Sequence, residues 1–309
     1  MNKPKVNIIL ATYNGEKHIR KQLDSLLTQT YDNIDIYIRD DGSTDETVDV
    51  IKEYMNSNTS GKKIILLDNG NVNLRCPKSF YEILKKCEKA DYYSLCDQDD
   101  IWYPNKVEWA VEKLEQENSN QILLYYSACD YSDEQGNLIR KSPVQKKNLQ
   151  IEDVLYYTPG SGFTIVFNEK TRKELLLDVV PGKELHDRWL IRGAACFGKV
   201  IYDERCTASH IRHESAVTAG DAGTMNLILN FLKAELCGND GKQEKEALEY
   251  FASTFESRLS VTEKKTLRLF YARDFSILRW LQKVFYPRRL RRRLSGELAL
   301  RFLFLVGKA

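Results

Sequence analysis

Short apolar runs alternate with segments of helical period over the first hundred or so residues, and this alternation constrains the fold more than any other feature. VNIILAT (6–12) is a β-branched run suited to a buried parallel strand, and YNGEK breaks it. Residues 16–28 follow with Ile19, Leu23, Leu26 and Leu27 at helical spacing. A second strand is expected over 34–39, then a turn rich in Asp and Gly. Thr44 or Asp45 can cap a helix over about 46–55, with Val48, Ile51 and Tyr54 on one face. KIILLD (63–68), SFYEILKKCEKA (79–90) and YYSLCD (92–97) continue as strand, helix and strand. This pattern predicts an α/β fold with a parallel, doubly wound sheet.

With 309 residues, 42% of them hydrophobic, the chain can bury a large core. The longest apolar run, LALRFLFLV, is about half the length a bilayer-spanning helix needs and contains Arg301. MNKPK leads into the first strand without an apolar leader, which predicts a protein kept in the cytoplasm. Seven scattered cysteines without a CxxC pair fit reduced, buried thiols and argue against structural zinc. The net charge of +2 is unevenly placed: residues 276–309 hold nine Lys or Arg against one Glu.

Beyond residue 110 the alternation weakens. NQILLYYSACDYSD (120–133) reads as a strand, 145–157 as a basic connector and short helix, and GSGFTIVF (160–167) as a Gly-rich turn entering a strand. ELHDRWLIRGAACFG (184–198) is expected to be a helix starting near His186, IYDERCTASHIRH (201–213) a strand and loop, and 225–309 mainly helical. A boundary is expected near 220–223.

In doubly wound sheets ligands bind beyond the carboxyl ends of the strands, where strand order reverses. That rule selects ATYNG (11–15), RDDGS (39–43) and CDQDD (96–100). Asp97 and Asp99 alternate, so their side chains can address one site, and hard carboxylate oxygens suit Mg²⁺ or Mn²⁺. Equally, these acids can be solvated loop residues before a helix whose first turn lies near Pro104.

VNIILATYNGEKHIRKQLDSLLTQTYDNIDIYIRDDGSTDET, followed by YYSLCDQDDIWYPNKVE, resembles the bacterial family 2 glycosyltransferases, and the likeness is traceable through GSGFTIVF and LHDRW to IRHESAVTAG. Within that family LCDQDDIW and HD-x-W resemble rhamnosyltransferases of cell-wall or capsular polysaccharide synthesis. The resemblance implies a GT-A (Rossmann-like) domain with a mostly parallel sheet, inversion at the anomeric carbon, a divalent metal (Mn²⁺ or Mg²⁺) at an Asp-x-Asp motif, and a nucleotide-sugar donor. The donor it favours is dTDP-L-rhamnose, with a UDP-hexose as the alternative. Residues 1–222 are then the transferase domain, with 1–110 holding the donor and 111–222 the acceptor, and 223–309 a helical region.

Residue by residue, the resemblance makes Ala11, Thr12, Tyr13 and Asn14 the nucleotide-contacting turn, with Tyr13 against the base. It makes Asp41 the acceptor of a pyrimidine hydrogen bond, Asp97 a contact on the ribose side and Asp99 the metal ligand. Arg75 stands where relatives place a phosphate-neutralising arginine, a surface arginine being the alternative. Displacement by an acceptor hydroxyl needs a base, and Asp187 is the carboxylate available, unless it is only a first-turn acid held by the helix dipole. His213 is a candidate for the metal or pyrophosphate. Gly160 and Gly162, with His186 and Trp189, are assigned to the acceptor or sugar; a tight turn is the other reading of the glycines.

YPRRLRRRLSGELALRFLFLVGK places six arginines beside Leu290, Leu294, Leu298, Phe302 and Leu305 at helical spacing. Such a segment suits the inner membrane surface, each arginine contributing about 1 kcal/mol. Alternatively it packs in the protein or pairs two copies as a homodimer. Membrane proximity suggests a lipid-linked glycan acceptor. Nucleic-acid motifs are lacking, so no nucleic-acid partner is expected. The rival class is a nucleotide-binding scaffold of a polysaccharide assembly complex that has lost catalysis.

Overall fold

Alternation of side chains along buried strands decides how the molecule layers. In β1 (Val6–Thr12) Val6, Ile8 and Leu10 face one side of the sheet and Ile9 the other. The computed structural model describes residues 3–70, 72–211, 240–274 and 276–308. The first half follows the expected alternation: α1 (Ile19–Leu27), β2 (Ile34–Asp40), α2 (Thr47–Ser57), β3 (Lys63–Leu66), α3 (Lys78–Lys86) and β4 (Tyr92–Cys96). Neither Thr44 nor Asp45 is the N-cap of α2: that position is Glu46, without a side-chain cap bond, although Asp45 beside it accepts the Thr47 N–H at 3.1 Å.

The second half adds β5 (Asp100–Trp102), α4 (Lys106–Leu114), β6 (Ile122–Ser132), β7 (Leu138–Lys141), β8 (Ile165–Asn168), α5 (Glu169–Arg172), α6 (His186–Phe197) and β9 (Gly198–Ile211). Among the described residues beyond β9 lie α7 (Asp240–Thr254), α8 (Val261–Tyr271), α9 (Ile277–Val284) and α10 (Leu294–Leu305). One nine-stranded sheet runs β3-β2-β1-β4-β8-β6-β9-β5, with β7 on β6. The first four of these are parallel; β8 then lies antiparallel between β4 and β6.

Helices α1, α2 and α4 cover one face of the sheet through Leu23, Leu26, Val50, Ile51, Val107 and Leu114. The other face is covered by α3 and α6, and the C-terminal helices join the same apolar cluster through Phe251, Phe255, Phe270, Leu300 and Phe304. Among the described residues no helix is long and apolar enough to cross a membrane. Of the expected apolar stripe on the tail, Leu290 is buried, whereas Leu294, Leu298, Phe302 and Leu305 stand 43–63% exposed. Ile277, Leu278 and Phe285 of the adjacent α9 region are at least 67% exposed. The expected boundary at 220–223 lies outside the described residues, as does His213.

Candidate active site

Leu10 is in register with Cys96, so β1 and β4 release their chains side by side at the point where strand order reverses. Asn14, at φ 47°, turns the chain after β1, and Asn tolerates this left-handed conformation. Its N–H donates to Ser43 Oγ at 2.8 Å, and its Oδ1 accepts the Thr44 N–H at 2.9 Å. Gln98 fastens the same turn to the end of β4: Oε1 accepts the Tyr13 N–H at 2.8 Å, and Nε2 donates to the Tyr13 carbonyl at 3.0 Å. A Cβ at Gly15 would stand 2.4 Å from Gln98 Oε1, so glycine there admits the clamp. Sequence reasoning missed Gln98; the one available signal was an uncharged amide between acids.

These bonds give the nucleotide-turn residues different parts. Thr12 is buried and donates its hydroxyl to Asp40 Oδ1 at 2.9 Å, while Ala11 is half-buried beneath it. Tyr13 is 49% exposed, its ring available to a planar ligand. Asp41 is buried and engaged within the chain: the Arg39 guanidinium bonds it, and Leu74 and Arg75 donate their N–H groups at 2.9 and 2.5 Å. Arg75 is thereby held at φ 60° with its side chain exposed at the start of α3.

The acids converge. Burial raises the Asp97 carboxyl well above its usual range, and the charges of Asp100, Asp99 and Asp187 push it further. The charges of Asp99, Asp100 and Asp187 thus act on Asp97, which follows the end of β4. Asp187 is itself raised, by burial, and accepts the Arg188 N–H at 2.7 Å. Its carboxylate is thus both the expected first-turn acid and a neighbour of Asp97. Asp100 holds His210 Nδ1 at 2.7 Å, and this bond raises the imidazole. His210, on β9 and stacked 5.6 Å from Phe163, was not singled out from sequence.

His186 lies between Phe80, with ring centroids 4.4 Å apart, and Gly162; its Nδ1 is 3.8 Å from Cys76 Sγ. Burial pushes it down to about 4, so it is neutral near pH 7. A Cβ on Gly162 would sit 2.4 Å from His186 Nε2. Gly162→Ala is expected to cost about 1–3 kcal/mol by overpacking and to slow any reaction at Asp187; urea unfolding together with turnover checks it. Gly160 similarly meets Tyr126, 2.6 Å from the place its Cβ would take, and lines a cavity of about 410 Å³. Trp189 requires a correction. It is fully buried, donates Nε1–H to the Leu175 carbonyl at 2.7 Å and packs on Phe251 and Phe255, so it serves the core rather than a sugar.

Lys106 is buried beside this centre, its Nζ 4.6 Å from the Trp102 ring centroid. Burial pushes the amine from 10.5 down to about 7. Between those values the unfolded chain holds a proton that the folded chain does not, so stability rises with pH across that window. Lys106→Met should raise the melting temperature and flatten this rise, as read by thermal unfolding at about pH 7 and about pH 9.

Could these acids hold a cation? Among the described residues no group of three or more His, Cys, Asp or Glu side chains is placed to hold a metal ion. Asp97 and Asp99 nonetheless suit an ion that takes one or two protein carboxylates and fills its shell with phosphate and water, and Asp100 Oδ2 is buried without a hydrogen-bond partner.

Residues 7–176 match the family model described as Glycosyl transferase family 2. The chain belongs to glycosyltransferase family 2. It is 31% identical over 220 residues to the dTDP-rhamnosyl transferase RfbG of Shigella flexneri, covering 67% of this chain and 72% of that one. It covers only 25–36% of the length of three Rickettsia glycosyltransferases that it matches. Among solved structures, S. aureus TarS 1-349 in complex with UDP-GlcNAc superposes with a TM-score of 0.55 at 15% identity, over 98% of this chain and 92% of that one. The mannosyltransferase PcManGT from Pyrobaculum calidifontis, in complex with GDP-Man and Mn²⁺, gives 0.51 at 16%, over 100% and 89%. This family 2 chain thus has the GT-A fold, and the relative matched over most of its length makes it rhamnosyltransferase-like.

Proposed function

We propose that this family 2 protein is an inverting, metal-dependent glycosyltransferase that moves L-rhamnose from dTDP-L-rhamnose to a lipid-linked glycan in cell-surface polysaccharide synthesis. The observation that supports the reading is that Asp97, next to the Gln98 that clamps the Tyr13 turn, feels the charges of Asp99 and Asp187. The likeness to a dTDP-rhamnosyl transferase supports the donor.

The chemistry is one displacement. The acceptor oxygen bonds the anomeric carbon as the carbon–oxygen bond to the nucleoside diphosphate breaks, and the hydroxyl proton passes to the Asp187 carboxylate. A carboxylate raised by burial is the better proton acceptor near neutral pH. Tyr13 stacks on the base and Arg75, exposed at the edge, faces the phosphates. Asp97 and Asp99 would hold a divalent ion, which when bound neutralises the departing diphosphate. Neutral His186, packed on Gly162, shapes the wall beside Asp187.

The exposed apolar residues of α9 and α10, with Arg289 at their edge, suit the inner surface of an anionic membrane. A second reading keeps the fold but uses a UDP-hexose, favoured by the TarS complex with UDP-GlcNAc. Incubating the purified protein with a panel of nucleotide sugars and a lipid-linked acceptor separates these. Rhamnosyl transfer is expected; hexosyl transfer establishes the second reading, and nucleotide binding without any transfer indicates a scaffold.

A further inference from the structure

Beside the acidic centre lies its electrostatic opposite. The cavity of about 410 Å³ is lined by Arg140 of β7 and by Arg291, Arg292 and Arg293 just before α10, and among the described residues no Asp or Glu lines it. Arg140 stacks 4.0 Å from the Tyr131 ring. Among the described residues Arg140, Arg292 and Arg293 meet no carboxylate. Glu297, the acid closest in sequence, accepts from Arg301 and from the Leu290 and Arg291 N–H groups instead. The N-terminus of α10 has no side-chain cap, and Gly296 of its first turn lines the same cavity. The guanidinium groups of Arg140, Arg292 and Arg293, gathered at one cavity, repel one another unless an anion joins them.

Two routes connect this cavity to the centre. Gly160 and Ser161 line it, and the next residue, Gly162, touches His186, the neighbour of Asp187. Tyr131 lines it too and lies edge-on to His210, 5.8 Å away, which is bonded to Asp100. A molecule seated in the cavity would therefore lie against the Gly160–Gly162 turn whose end packs on His186, the residue before Asp187.

We infer that this arginine-lined cavity binds a phosphate or diphosphate group of the acceptor, so that the acceptor is recognised by an anion as well as by its sugar. Arg forks match phosphate oxygens bidentately. The inference rests on the transferase reading. It also gives the tail arginines a role other than the membrane contact suggested by sequence: Arg291, Arg292 and Arg293 face the acceptor, and Arg288 pairs with Glu152 at 3.1 Å.

Inorganic pyrophosphate, titrated calorimetrically into the full chain in EDTA, tests this, because the metal-free acid cluster repels diphosphate and leaves the arginine cavity as its site. Saturable binding is expected, weakened roughly tenfold or more in Arg140→Gln/Arg292→Gln/Arg293→Gln and retained in Asp99→Asn. Nucleotide binding with Mn²⁺, unchanged in the arginine variant, shows that it folds; should the triple variant not fold, the exposed single Arg293→Gln should still weaken binding about threefold. Equal pyrophosphate affinity in wild type and arginine variant, or no binding at all, overturns the inference while leaving nucleotide binding and transfer to judge the enzyme. Decyl diphosphate binding tighter than glycerol phosphate places the anion at a lipid linkage, and the reverse order places it within the glycan; either supports the cavity. An arginine variant that loses phosphatidylglycerol vesicles but keeps pyrophosphate makes these arginines a membrane contact and overturns the inference.

Discussion

Asp187→Asn is expected to lower turnover roughly 10²–10⁴-fold, the usual contribution of a positioned general base, while donor affinity changes little. The substitution is nearly isosteric. An Asn Oδ1 can still accept the Arg188 N–H that Asp187 accepts at 2.7 Å, so the first turn of α6 keeps its bond. What disappears is a carboxylate whose charge acts on Asp97 and which can take a proton there. Single-turnover transfer with saturating donor, alongside nucleotide binding, isolates this step. Turnover near the wild-type rate would remove Asp187 from the base role and leave it a helix-end acid.

The second large effect is on stability. Asp41→Ala is expected to cost about 3–5 kcal/mol, because Arg39 is fully buried and would lose its carboxylate partner. The Leu74 and Arg75 N–H groups lose their acceptor at the same time, freeing the segment that presents Arg75. Urea unfolding reads the loss as a lower midpoint with an unchanged m-value. Asp41→Asn retains an acceptor oxygen for those N–H groups and should cost less than Ala. A change under about 1 kcal/mol in Asp41→Ala would show that Arg39 finds another partner and that Asp41 is free for a nucleobase.

Local pattern made the first hundred residues legible. Apolar runs of strand length, broken by Gly and Asp, located β1, β2 and β4, and the carboxyl-end rule led from them to the Tyr13, Asp41 and Asp97 segments. Asp187 was legible as a first-turn acid, but the reach of its charge to Asp97 comes from how α6 packs in the fold, which no local spacing records. Trp189 shows the opposite failure. An aromatic two positions after an acid reads as a sugar platform, yet helical period turns its side chain away from Asp187, into the layer under α7. The three-residue β5 was too short to carry a period of its own, so the Asp100–His210 pair it forms with β9 went unseen. The tail arginines were read as one charged face, whereas the turn before α10 aims Arg291, Arg292 and Arg293 at the cavity beside Gly160.

The most direct test of a donor site built from Asp97 and Asp99 is calorimetric binding of dTDP to the wild-type chain and to Asp99→Ala, each with Mn²⁺ and with EDTA. Binding by the wild type that weakens roughly tenfold or more in EDTA, and that is weak in Asp99→Ala under both conditions, is the expected result. Equal affinity in all four titrations would contradict a cation-dependent donor site at these carboxylates.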